Sequence, residues 1–251
     1  GLEAPAITTK GMFHMSKHGK KYDAAEKQIP AEPVAPLAAM QLLKEISTAN
    51  FDETVTGDFR LGIDTRQADQ QLRGTVSLPN GSGKTVRVAV FAEGAAAQAA
   101  EEAGADIVGT DILMEQIQAG EFNFDAAVAT PDQMGKVGRL GKILGPRGLM
   151  PNPKLGTVTN DVAKAINELK GGRVEYRADR FGICHVILGK KSFSAEDLAE
   201  NYGAVYDEII RMKPAAAKGK YVKSITVSST MSPGISVDPA VQRNYTGAVE
   251  E

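Results

Sequence analysis

The chain has 251 residues, of which 42% are hydrophobic and 24% are charged. This balance indicates an ordinary soluble protein of one or two domains rather than a disordered or fibrous one. No run of about 18 consecutive apolar residues occurs, which excludes a membrane-spanning helix. The single cysteine, Cys184, excludes an intramolecular disulfide and a cysteine-based zinc site, and we expect it to be buried. The net charge of -2 speaks against a wholly basic nucleic-acid coat protein.

The N-terminal segment, residues 1–36, is rich in proline and lysine, and we expect most of it to form an extended tail. A short amphipathic helix is predicted over residues 37–46, where apolar residues recur at helical spacing. A strand is then predicted over residues 55–63, where apolar and polar side chains alternate. One face of this strand therefore packs into a core, and the other faces solvent or a ligand.

Strands and helices alternate between about residues 85 and 170, which is typical of an α/β lobe. The pattern predicts strands at residues 86–91, 107–108 and 126–129, with helices at 95–103 and near 112–118.

The segment after residue 171 returns to strand alternation. A hairpin is predicted over residues 174–188, with its turn at residues 179–182. A helix follows that starts with a capping box of Ser194 and Asp197 and ends before Pro214. The last strand is predicted over residues 221–230, with Ile225 and Val227 facing a core.

The two strand-rich segments flank the α/β segment, so we predict one lobe built from both ends of the chain and a second lobe inserted into it. Glycines mark both crossings, and because glycine best absorbs dihedral change, a hinge is predicted there. The candidate hinge residues are Gly81, Gly83, Gly171 and Gly172. Two ordinary loops remain the alternative.

The motifs of common enzymes and metal sites are absent from the sequence. The stretch from Gly81 to Thr85 resembles a P-loop, but Leu78 stands where that motif needs glycine, and a strand rather than a helix follows. No carboxylate or cysteine stands at a zinc-binding spacing from any of the three histidines, so we expect no metal and no cofactor. A small-molecule α/β enzyme that uses the inserted lobe remains an alternative, because residues distant in sequence can form a site.

Residues 133–160 form a basic run with no acidic residue. Its glycines and prolines fix a loop that can bring the backbone close to a partner, while Arg147 and the lysines can neutralise phosphate. A solvated basic loop with no partner is the alternative reading.

A second candidate surface lies on the polar face of the last predicted strand. Ser224, Ser228 and Thr230 share that face, next to Met231, and we group with them the segment 51–54, which begins with Phe51. Hydroxyls can donate to phosphates or ribose, and an aromatic or thioether group can lie against a base. A polar sheet face that only contacts water is the alternative.

Several motifs resemble one known family over about residues 15–235, the L-one family of large-subunit ribosomal proteins. They are Phe51-Asp52-Glu53-Thr54-Val55, Leu61-Gly62-Ile63-Asp64, Arg73-Gly74-Thr75-Val76-Ser77-Leu78-Pro79, Leu144-Gly145-Pro146-Arg147-Gly148-Leu149-Met150-Pro151-Asn152-Pro153-Lys154 and Thr230-Met231. The resemblance implies a discontinuous two-layer α+β domain with an inserted three-layer Rossmann-like α/β domain. The expected boundaries are a tail at 1–36, the first domain at 37–81 and 173–251, and the second domain at 82–172.

The resemblance also implies a function. It implies a non-enzymatic constituent of the large ribosomal subunit that binds large-subunit rRNA, forms the mobile stalk near the E site, helps deacylated tRNA leave, and in bacteria can repress its own mRNA. The implied rRNA-binding residues are Phe51, Thr54, Arg180, Gly182, Ser224, Thr230 and Met231, to which the polar strand face adds Ser228. The candidates for an interdomain or tRNA-facing role are Lys142, Arg147, Asn152 and Lys154.

The sequence departs from the family at two places. Ser232-Pro233-Gly234 stands where Gly-Pro-Ser is usual, and Asn50 stands where a basic residue is common. The Gly1 start, the segment before Met15 and residues 236–245 resemble a plastid form whose transit peptide has been removed, which predicts a ribosome-bound protein of the chloroplast stroma. A bacterial cytoplasmic form is the alternative.

Overall fold

The computed structural model describes residues 19–217 and 219–241. In chain order its helices and strands are α1 (Lys20–Glu26), α2 (Pro36–Ile46), β1 (Thr54–Leu61), β2 (Arg73–Ser77), β3 (Val88–Phe91), α3 (Ala95–Glu102), β4 (Ile107–Val108), α4 (Thr110–Gln118), β5 (Ala126–Ala129), α5 (Met134–Val137), α6 (Gly141–Leu144), α7 (Val162–Lys170), β6 (Arg173–Ala178), β7 (Ile183–Lys190), α8 (Ala195–Arg211), β8 (Val222–Ser229) and β9 (Ile235–Val237). None of the helices in these ranges is long and apolar enough to cross a bilayer.

The first lobe is a six-stranded antiparallel sheet in the order β2-β6-β7-β1-β8-β9. Helices α2 and α8 contribute buried residues to the same core as this sheet. The ring of Tyr202 on α8 stacks on Phe59 of β1, with centroids 5.9 Å apart, and on Tyr206, with centroids 6.1 Å apart. Because chain segments on both sides of the inserted α/β lobe supply these strands, the first lobe is discontinuous in sequence, as predicted.

The second lobe is a parallel three-stranded sheet in the order β4-β3-β5. Alternation along β3 sends Val88 and Val90 into one core with α3 and α7, and Ala89 and Phe91 into another with α4, α5 and α6. The three-layer α/β prediction is therefore confirmed, together with the mixed α/β class of the whole chain.

Cys184 on β7 is buried, as predicted. It lies opposite Phe59 in the sheet register. Burial raises the pKa of its thiol to about 12, with a smaller contribution from the charges of Asp179 and Asp58. The thiol therefore packs as a small apolar group in the core.

The predicted extended tail is wrong for residues 20–26, which form α1. The prolines that suggested an extended chain flank this segment rather than interrupt it, so its alanine and lysine residues can take helical dihedrals. Ala25 is buried against the first lobe, and Val34 bridges to Val237. Residues 1–18 of the predicted tail lie outside the described residues.

Two strands of the first lobe were not predicted. Strand β2 pairs with β6, and β9, which follows the last predicted strand, pairs with β8. Only Val76 is buried in β2, and β9 has three residues, so neither shows enough alternation to be detected.

The two crossings between the lobes lie side by side. A methyl group added at Gly172 would lie 2.5 Å from the Cα atom of Gly81. Gly81, Gly83 and Gly172 have φ angles of 71°, 68° and 93°, whereas Gly171 has an ordinary φ of -72°. Three of the four predicted hinge glycines thus adopt the left-handed region that favours glycine.

Candidate nucleic-acid interface

The face of the six-stranded sheet opposite α2 and α8 carries polar side chains, and we call it the open face. Alternation along β1 and β8 sends one set of residues to the core and the other set to this face. In the register of the two strands Thr56 lies opposite Ser228, and Arg60 lies opposite Ser224. The outward residues of the two strands and the residue after β8 are Thr54, Thr56, Asp58, Arg60, Ser224, Thr226, Ser228 and Thr230.

Five of the eight predicted rRNA-binding residues meet at one end of the open face, which we call the Phe51 end. They are Phe51, Thr54, Ser228, Thr230 and Met231. The Thr54 amide donates to Thr230 Oγ1 at 3.2 Å, and the Lys190 ammonium donates to Thr54 Oγ1 at 2.8 Å. Phe51 is 54% exposed and Met231 is 61% exposed, so two apolar groups stand beside hydroxyls and a cation. This combination can stack on a base and bind a phosphate or ribose.

The other three predicted residues lie at the opposite end of the open face, which we call the Arg180 end. Gly182 accepts a hydrogen bond from the Leu61 amide at 2.8 Å, and Ser224 pairs with Arg60 near the same place. Arg60 lies six positions along the strand from Thr54, which amounts to roughly 20 Å. The predicted residues therefore form two groups rather than one cluster.

The turn glycine at this end has a structural explanation. Gly182 is buried, its φ is 76°, and a Cβ atom there would lie 3.2 Å from the Leu61 carbonyl oxygen. The glycine is needed by the turn itself, and the turn leaves the side chain of Arg180 exposed.

Basic side chains surround the Arg180 end. Arg66, Arg73, Arg177 and Arg180 line a cavity of about 980 Å³. Arg73 pairs with Glu175 at 2.8 Å, and the Arg180 guanidinium lies 4.8 Å from the centre of the Phe181 ring. Sequence reasoning missed Arg66 and Arg177, because residues this far apart in sequence give no local cluster of charge.

Two carboxylates lie close to His185, that of Asp58 in the middle of the open face and that of Asp179 at its Arg180 end. His185 Nδ1 lies 2.6 Å from Asp58 Oδ1, and His185 Nε2 lies 3.8 Å from Asp179 Oδ2. A backbone hydrogen bond from Ile183 lowers the pKa of Asp179 most, and the Phe181 amide and His185 lower it further. The face therefore offers cationic and hydroxyl groups at its two ends, with the Asp58 carboxylate between them and the Asp179 carboxylate beside Arg180.

Glu53 is fully buried directly beneath the Phe51 end. Its Oε1 accepts from Ser47 Oγ at 2.5 Å and from the Ala49 amide at 3.1 Å, and its Oε2 accepts from Ser229 Oγ at 2.7 Å and from the Met231 amide at 2.9 Å. Burial raises the pKa of Glu53, but the hydrogen bonds outweigh burial and hold it below the ordinary value. Glu53 belongs to the segment 51–54, which is predicted to lie at the surface, so its burial differs from the prediction.

The candidate interdomain or tRNA-facing residues lie in the second lobe. Lys142 on α6 is exposed, and the exposed Arg147 guanidinium lies 3.7 Å from the centre of the Phe122 ring. Asn152 lines the arginine cavity of the first lobe, and Lys154 belongs to the 3-10 turn Pro153–Leu155. Asn152 is thus at the junction of the lobes, whereas Lys142 and Arg147 are on the second lobe alone.

Comparisons with known proteins identify close relatives. The model of the ribosomal protein L1p/L10e family matches residues 43–233. The chain is similar to large ribosomal subunit protein uL1 of Corynebacterium kroppenstedtii, with 60% identity over 94% of this chain and 100% of the relative. The protein of the same name from Corynebacterium diphtheriae is 60% identical and that from Mycobacterium ulcerans 57%, each over 93% of this chain and 100% of the relative. These relatives are bacterial and do not support the predicted plastid form.

Proposed function

Because the chain belongs to the ribosomal protein L1p/L10e family, it is a structural constituent of the large ribosomal subunit and not an enzyme, and we propose that it binds large-subunit rRNA through its open face. The enzyme alternative is therefore set aside. The observation that carries the proposed surface is the Phe51 end, where exposed Phe51 and Met231 flank the hydroxyls of Thr54 and Thr230.

Each end of the open face would make a different kind of contact. At the Phe51 end, an aromatic ring and a thioether would lie against bases or sugars, and hydroxyls would bond phosphate or ribose. At the Arg180 end, the arginines would neutralise phosphates. A spacing of roughly 20 Å between the ends suits two separate strands or turns of a folded RNA, which would explain recognition by shape.

Filter binding of the full chain to a transcript of the large-subunit stalk rRNA tests this function, with a scrambled transcript of equal length as the control. We expect at least tenfold tighter binding to the stalk transcript and a modest dependence on salt, because the net charge of the chain is only -2 and the carboxylates on the open face offset part of its positive charge. Arg180→Ala should reduce the log-log salt slope by about one. Met231→Ala should weaken binding at every salt concentration with the slope unchanged. Equal affinity for both transcripts would refute the proposed function.

We propose two further roles on the same basis. Residues 37–81 and 173–251 would form the rRNA-binding domain, and residues 82–172 would form a second domain that moves at the glycine crossings and forms a mobile stalk near the E site. Lys142 and Arg147 on that domain would face E-site tRNA and help deacylated tRNA leave, with Asn152 and Lys154 at the junction.

The bacterial relatives favour the bacterial cytoplasm as the location of this ribosome-bound protein. Repression of its own mRNA would use the same open face if the messenger folds like the rRNA site. Competition between the stalk transcript and the leader of its own messenger would test this role, and the absence of competition would refute it.

A further inference from the structure

The most unusual group near the open face is a carboxylate that no ligand can reach. Glu53 is 0% exposed, yet it lies between Phe51 and Thr54, two residues of the proposed rRNA surface. A buried carboxylate is costly unless hydrogen bonds satisfy it, and Glu53 has four donors within 3.1 Å. Its presence therefore needs an explanation other than core packing.

The four donors come from two chain segments that are far apart in sequence. Ser47 and Ala49, in the connection between α2 and β1, donate to one carboxylate oxygen. Ser229 and Met231, at the end of β8, donate to the other oxygen. The carboxylate thus joins the loop that carries Phe51 to the turn that carries Met231.

We propose that Glu53 is the positioning residue of the rRNA surface: its carboxylate fixes the backbone of Met231 and the connection before Phe51 so that both exposed side chains are set before RNA arrives. This inference rests on the proposed function. Preorganisation of this kind raises affinity because the cost of ordering the surface is met in folding rather than in binding.

The surroundings of Glu53 support a carboxylate rather than a neutral amide at this position. Each carboxylate oxygen accepts from one serine hydroxyl and one backbone amide, and because the backbone amide can only donate, an amide nitrogen in place of either oxygen would face an N–H group that it cannot bond. The backbone carbonyl of Glu53 also accepts from the Lys191 amide at 2.8 Å, which anchors the same residue to the segment after β7.

The test compares Glu53→Gln with Val205→Ala in the full-length chain. Val205 is buried in α8 on the other side of the sheet, so its truncation lowers stability without touching the surface. Affinity for the stalk transcript is measured by filter binding under conditions where urea unfolding shows each variant folded. Hydrogen exchange of the Met231 amide is measured on the same samples.

We expect Glu53→Gln to weaken binding at least tenfold, since one segment loses its acceptor and the hydrogen bonds of the other segment no longer go to a charged group. The Met231 amide should exchange faster in this variant, while Val205→Ala should keep wild-type affinity. Ser229→Ala removes one of the four donors, and we expect a smaller loss of affinity, about threefold. This milder variant tests the inference even where Glu53→Gln does not fold.

Three results would overturn the inference. The first is wild-type affinity in a folded Glu53→Gln, or in Ser229→Ala if Glu53→Gln does not fold. The second is an equal loss of affinity in Val205→Ala, which would make the effect a general consequence of lower stability. The third is unchanged exchange of the Met231 amide. If the wild-type chain itself shows no preference for the stalk transcript over the scrambled one, the proposed function fails instead, so the two failures are distinguishable.

Discussion

The hydroxyl of Thr230 already has a structural partner in the free protein, the Thr54 amide at 3.2 Å. Thr230→Val keeps the volume and removes the hydroxyl, which leaves the Thr54 amide and any RNA partner unpaired. We expect a loss of about 1 to 3 kcal/mol in the free energy of binding to the stalk transcript, measured by filter binding. Thr159→Val removes a hydroxyl from the second lobe and should leave this affinity unchanged. Equal affinities for the two variants would speak against Thr230 as a contact.

The pH dependence of stability follows from Glu53. Its pKa in the folded state lies below the ordinary value of 4.5, so its hydrogen bonds stabilise the fold above that pH, and this contribution is lost as the pH falls through the folded-state value. Urea unfolding of wild type and Glu53→Gln should show a difference in the free energy of unfolding that is largest near neutral pH and narrows below pH about 4.5.

This comparison isolates Glu53 from the other groups that titrate in the same range. Asp179, Asp125 and Glu93 also have lowered pKa values, but they are present in both proteins and cancel in the difference. A difference that stays constant from neutral to acid pH would contradict the assignment.

The alternation of inward and outward side chains along a strand predicts which single residues of the candidate site are exposed. Thr54 and Thr230 have the parity of the exposed positions, and both lie on the open face as the alternation indicated. Glu53 has the parity of Val55 and Phe59, which are buried, so the same rule could have identified it as an inward carboxylate. It was missed because an acidic residue is ordinarily assumed to face water.

At the level of whole elements, α8 depends on its cap. The Asp197 amide donates to Ser194 Oγ at 3.0 Å, and the Ser194 amide donates to Asp197 Oδ2 at 3.2 Å, which completes a capping box. Ser194→Ala should lower the free energy of unfolding by about 1 kcal/mol, measured by urea denaturation. Ser194→Asp supplies another good capping oxygen and should stay close to wild type. A wild-type value for Ser194→Ala would show that the cap contributes little.

The sequence predicts best those elements in which apolar residues recur at regular spacing over many positions. Helix α8 begins one residue after the predicted cap and ends at Arg211, before Pro214, and α2 differs by one residue from its prediction. Strand pairing could not be predicted, because β2 joins β6 across almost the whole inserted lobe. The grouping of Gly182 and Ser224 at the Arg180 end depends on the pairing of β1 with β7 and β8, so it could not be read from the sequence either.

At the scale of the whole molecule, the glycines at the two crossings between the lobes differ in the space that surrounds them. Gly172→Ala would place a methyl group 2.5 Å from the Gly81 backbone, whereas a methyl group at Gly81 has open space around it. We expect Gly81→Ala to cost about 1 to 2 kcal/mol through its positive φ alone, and Gly172→Ala to cost more. Urea unfolding of both variants measures the difference, and equal costs would contradict this reading of the crossings.

Small-angle scattering of the same two variants would report on the proposed hinge. Gly172→Ala should alter the profile of the free protein, because relief of the clash requires the two crossings to separate. Gly81→Ala should change it less. The layout of lobes was predictable from the order of strand-rich and α/β segments, but the direct contact of Gly81 with Gly172 depends on tertiary structure and has no sequence signal.

The reactivity of the buried Cys184 thiol can report local unfolding of the first lobe. Since this is the sole cysteine of the sequence and its sulfur is shielded in the folded sheet, an alkylating reagent can label each molecule once, and only after β7 has separated from its neighbours. The labelling rate, followed by mass spectrometry with and without RNA, would therefore measure how firmly a bound transcript holds the first lobe closed, with no dye or tag added.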